Sequence, residues 1–197
     1  MPSAAEIQRY LTGAWRLMTG KPDGLLLLDI SADGFWNSFF AIVVALPALF
    51  VGWIGVANEI ADEPLTGGRL SILLRLAAID LSAWILPLIA LAIAAPLAGI
   101  GARFVHYVVA SNWGSALIIW LMLPAALLRL ISPSSSDLAA LLSIGLFGLS
   151  MVLTWRLTNV VIGRGPAIGT AVFAGMFIAS LAVLFLLQAA LGIQVPG

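Results

Sequence analysis

Residues 35–56 form a run of 22 positions without a charged side chain. No other feature constrains the fold as much. An α-helix rising 1.5 Å per residue needs about 20 apolar residues to cross about 30 Å of hydrocarbon, where the backbone finds no partner outside itself. Residues 167–191 repeat the pattern with no charge and one amide, Gln188. Three further spans are read between these two, at about residues 81–101, 107–128 and 138–155. The expected fold is all-α, a polytopic transmembrane bundle of five spans over residues 35–197. Composition excludes a soluble globular domain: 62% of residues are hydrophobic and 9% charged, against about 45–50% and about 25% in such domains.

Nine basic and nine acidic residues cancel, which leaves no basic field for nucleic acid. With no cysteine and one histidine, the chain has no disulfide framework, no thiol nucleophile and no histidine pair for zinc, and no cofactor is expected.

Residues 1–34 read as a cytoplasmic, interfacial segment. Ser3 and Glu6 have capping-box spacing, and Ile7, Tyr10, Leu11, Ala14, Leu17 and Met18 recur at helical steps. Gln8, Arg9, Thr12, Arg16 and Thr19 fill the other face. Such an amphipathic helix is expected to lie in the headgroup plane with Trp15 at the boundary. The apolar run 25–28 is too short to cross and reads as an interfacial re-entry. The long, mixed stretch before Phe35 does not resemble a signal-peptide n-region, so the first span is expected to remain in the mature chain.

Arg9, Arg16, Lys21, Arg103, Arg156 and Arg164 fall on one side of the five spans, and Arg69, Arg75 and Arg129 on the other. The positive-inside rule then puts the N-terminus in the cytoplasm and the C-terminus outside. Residues 70–80, with Arg75 and Asp80, are expected to form a second interfacial helix leading into the span at Leu81.

Five polar positions are candidate intramembrane sites. Asp80 is a functional hypothesis if it lies deep and a helix-end marker if it lies at the interface. Arg75 is a poor partner for it, since five residues turn about 500° and leave the side chains about 140° apart. Asn112 and Ser115, with Ser111 beside them, suit interhelical hydrogen bonding or a polar lining for a solute. His106 suits an interfacial anchor or a proton relay. Glu59, Asp62 and Glu63 could chelate a cation but match no calcium-loop spacing.

Small residues at four-residue spacing, Ala90, Ala94 and Ala98 on one span and Ala171, Gly175 and Ala179 on another, are expected to be helix-packing faces. Gly145 and Gly148 give the fourth span a small face too. Pro47, Pro87, Pro96 and Pro124 each delete a backbone donor within a span. Trp36, Ser38, Leu46, Pro47 and Ala48 recur at an offset of 77 as Trp113, Ser115, Leu123, Pro124 and Ala125, which a duplicated two-span unit would explain.

The N-terminal segment with Tyr10, Trp15 and Arg16, then Lys21 and Pro22, then five closely spaced spans, resembles bacterial members of the Yip (Rab-interacting) membrane family. The stretch 103–113 is loosely similar. The resemblance implies a membrane-embedded adaptor without catalysis and carries over no functional residue. The expected function is therefore a non-enzymatic adaptor, scaffold or accessory subunit in a bacterial inner membrane, in contact with the lipid bilayer and with a membrane-protein partner or a second copy. The alternative is a small-solute or ion transporter.

Overall fold

A computed structural model describes residues 1–60, 68–131 and 136–193. Seven helices and no strands occur among them: α1 (Ala4–Met18), α2 (Ala32–Ser38), α3 (Phe40–Ile60), α4 (Arg69–Leu97), α5 (Phe104–Ile131), α6 (Ser136–Ile162) and α7 (Pro166–Leu191). A 3-10 segment, Pro22–Leu27, joins α1 to α2. Five helical stretches are long and apolar enough to cross a membrane: Ala32–Ile60, Arg69–Leu97, Gly101–Ile131, Asp137–Ile162 and Pro166–Leu191. The chain is a multi-pass membrane protein.

The five long helices follow one another around the bundle in the order α3, α5, α6, α7, α4, and α4 returns to touch α3. Short connections reverse the chain each time. The turns after α4 and α6 and the start of α7 therefore share a near end, and the ends of α3, α5 and α7 share a far end.

Two expectations change. α4 is one continuous helix of 29 residues, about 43 Å long, so there is no separate interfacial helix before Leu81. Asp80 stands about 16 Å from its start. The two charges mark no helix boundary: Arg75 and Asp80 leave α4 toward different neighbours, and the helix has no reason to stop.

α1 also departs from the expected headgroup position of its apolar face. Ser3 and Glu6 do form the capping box, but Tyr10, Ala14, Leu17 and Met18 are buried, and α1 packs on α5 and α6. Tyr10 meets Trp113 with ring centroids 5.3 Å apart, a contact that adds about 0.5–1.5 kcal/mol to area burial. The 3-10 segment folds back along α1, and Leu28 is buried in the same core. Gly13 and Gly24 permit this crossing: a Cβ on Gly13 would stand 2.8 Å from the Gly24 carbonyl oxygen. Arg16 and Asp23 form an ion pair across it.

The prolines inside α3, α4 and α5 interrupt none of them. Pro87 removes the donor for the Ala83 carbonyl four residues earlier. Ser180 Oγ of α7 donates to that carbonyl at 3.3 Å, as lipid-embedded backbone requires.

Candidate functional site

Asp80 reaches the inner side of the bundle because α3 and α4 form an antiparallel hairpin around residues 61–67. Trp53 and Asp80 meet where α3 and α4 touch. Trp53 Nε1 donates to Asp80 Oδ2 at 2.6 Å. The bond is shorter than the usual N–H···O distance. Trp53 is buried and Asp80 is half-buried. No cation pairs with the Asp80 carboxylate among the described residues.

Both side chains line a cavity of about 350 Å³ between α3, α4, α5 and α7. Leu49 and Ile119 lie toward its floor, and Gln188 and the Glu59–Arg129 ion pair, 3.3 Å apart, stand at its far-end rim. Two carboxyl groups and one guanidinium line this cavity. Glu59 thus serves an ion pair; Asp62 and Glu63 lie outside the described residues.

Arg75 turns away from Asp80, as the 140° separation requires. Its Nη1 donates at 2.9 Å to the Leu191 carbonyl, at the C-terminus of α7 where the helix dipole favours a cation.

Asn112 is fully buried and uses both ends of its amide. Its Nδ2 donates to Ser38 Oγ and its Oδ1 accepts from Trp84 Nε1, each at 2.9 Å. Ser38 in turn donates to the Phe35 carbonyl at 2.7 Å. This chain ties α2, α4 and α5 together and gives both ends of the Asn112 amide a protein partner. Ser115 and Ser111 line a second cavity, of about 260 Å³, with Trp84, Thr154, Ser180 and the side chain of Met18. It lies toward the near end, below the Asp80 cavity. His106, half-buried at the start of α5, has a buried Nδ1 without a hydrogen-bond partner among the described residues.

The two small-residue faces do confront one another on α4 and α7, but they do not close. Ala90, Ala94, Ala98, Ala171 and Gly175 stay exposed, Ala179 is half-buried, and together they wall an open apolar groove of about 580 Å³. Gly145 and Gly148 have open space beside them. The duplicated-unit reading meets a contrast, since Trp36 is 72% exposed and Trp113 is 1% exposed.

Reading the sequence missed Trp53, Gln188 and Arg129 as neighbours of Asp80. Antiparallel pairing of α3 with α4 places Trp53 only within about one turn of Asp80 by residue number, too coarse to name the contact. Gln188 and Arg129 reach the cavity through non-sequential packing, which periodicity does not report. The chain matches no protein-family profile, no curated protein and no solved structure.

Proposed function

We propose that this multi-pass protein binds a small cation within the bilayer and carries it across, with Asp80 as the binding carboxylate. One observation carries the reading: Asp80 lies between membrane-crossing helices in a cavity lined by α3, α4, α5 and α7, held by a single indole N–H and without a paired cation among the described residues. An ionised side chain there is costly, and such groups mark ion and proton pathways. A unit cation 4 Å from the carboxylate gains about 4 kcal/mol at an effective dielectric of about 20.

The adaptor role implied by the Yip-like order of parts has less support. It draws on an amphipathic α1 that offers its apolar face to a partner, whereas α1 commits that face to α5 and α6. The role is non-enzymatic. The membrane is a bacterial inner membrane with the N-terminus in the cytoplasm, a reading supported by the arrangement of the basic residues, and the Glu59–Arg129 rim then faces outward.

Uptake of radiolabelled methylammonium into proteoliposomes, driven by an inside-negative potassium diffusion potential, tests this. The unaltered protein should exceed empty liposomes, and Asp80→Asn should lower the rate by about tenfold or more, the factor given by about 1.4 kcal/mol of lost attraction. Uptake equal to empty liposomes, or unchanged by Asp80→Asn, overturns the reading. A stoichiometric foreign subunit after mild extraction would favour the adaptor.

A further inference from the structure

Two arginines stand beside the near end of the groove between α4 and α7. At the near end, α4 stops at Gly99 (φ 69°) and α6 at Gly163 (φ 60°), and each turn brings an arginine against the other. Arg164 Nη1 lies 3.8 Å from the place a Gly99 Cβ would take, and Arg103 Nη2 lies 3.9 Å from that of Gly163. Ala98 and Ile100, which flank Gly99, and Ala167, three residues past Arg164, line the groove. Neither arginine forms an ion pair among the described residues.

The groove has the length of one leaflet. From Ala98 to Pro87 it follows α4 for eleven residues, about 16 Å, and half the hydrocarbon thickness is about 15 Å. Its walls are apolar, small at Ala90, Ala94, Ala98, Ala171 and Gly175, which are exposed, and larger at Leu91, Val172 and Met176. Two unpaired guanidinium groups at headgroup depth above an apolar channel of leaflet length match one kind of occupant in charge and in length.

We infer that the α4–α7 groove binds an anionic phospholipid of the leaflet at the near end, with its phosphate at Arg103 and Arg164 and an acyl chain along Ala94 and Gly175. Arginine holds phosphate through a planar fork of donors, and basic side chains at the surface contribute about 1 kcal/mol each toward anionic lipid. The inference is independent of the Asp80 cavity, which opens elsewhere in the bundle.

Native mass spectrometry from nanodiscs of equimolar phosphatidylglycerol and phosphatidylcholine tests it. The unaltered chain should retain one phosphatidylglycerol in preference to phosphatidylcholine. Arg103→Gln with Arg164→Gln should lower that preference by about 30-fold, the factor for two contacts of about 1 kcal/mol each. Arg103→Lys with Arg164→Lys should keep most of it, which separates lost charge from lost folding. Ala94→Leu with Gly175→Leu should release the lipid while both arginines remain. Retention without preference, or preference unchanged in the glutamine variant, overturns the inference. So does a dimer abolished by the leucine variant, since a second copy would then fill the groove.

Discussion

The Ala83 carbonyl, left without its helical donor by Pro87, shows how single side chains hold this bundle. Ser180 supplies the missing hydrogen from another helix. Ser180→Ala should cost about 1 kcal/mol, the worth of an interhelical hydrogen bond in lipid, while Ser180→Thr, which keeps the hydroxyl, should cost less; unfolding in graded SDS measures both. An equal loss in the two variants would point to packing at Ser180 instead. Pro87 was legible as a missing donor, but its remedy, Ser180, lies 97 residues from the Ala83 carbonyl that it serves. The same holds for Asn112. Its burial and polarity marked it as interhelical glue or solute lining, and its two partners, Ser38 and Trp84, show that both ends of the amide are used for glue.

At the scale of elements, the five apolar runs were readable because each carries enough hydropathy to identify itself. Their ends were less so. α4 continues through Arg75 and Asp80 because those side chains find the Leu191 carbonyl and Trp53, contacts that no sliding window contains. The α1 hairpin adds a titratable latch. The Arg16 guanidinium, by hydrogen bonding and then by its charge, holds the Asp23 carboxyl below its ordinary value of 3.8. A lowered carboxylate value means that the ion pair contributes fully above the unfolded value and is lost as pH falls through the lowered one. The thermal midpoint of the unaltered protein should therefore exceed that of Asp23→Asn by a constant margin from about pH 8 to about pH 5, and the margin should close below about pH 3.8. A margin that persists in acid would assign the effect to something other than the pair.

For the whole molecule, the helix order α3, α5, α6, α7, α4 makes the N-terminal segment a structural member and not an appendage. Tyr10, Leu17 and Met18 share one core with Trp113, Leu157 and Val161. Removing residues 1–30 should leave insertion intact, since each long helix carries its own apolar run, but should lower the thermal midpoint by several degrees, about the effect of losing 1–3 kcal/mol. Detergent-extracted protein followed by intrinsic fluorescence measures it, and an unchanged midpoint would show that α1 adds nothing to the bundle. The docking of α1 also imposes an order in time. Trp113 follows Tyr10 by 103 residues and Leu157 follows Met18 by 139. At about 5–20 residues per second, the ribosome needs about 5–30 s to deliver the surfaces that α1 will cover. During that interval its apolar stripe has no protein to meet, and the bilayer surface is the available shelter. The amphipathic pattern that reads as a headgroup-plane helix thus suits the nascent chain, and the same stripe serves the finished bundle once α5 and α6 arrive.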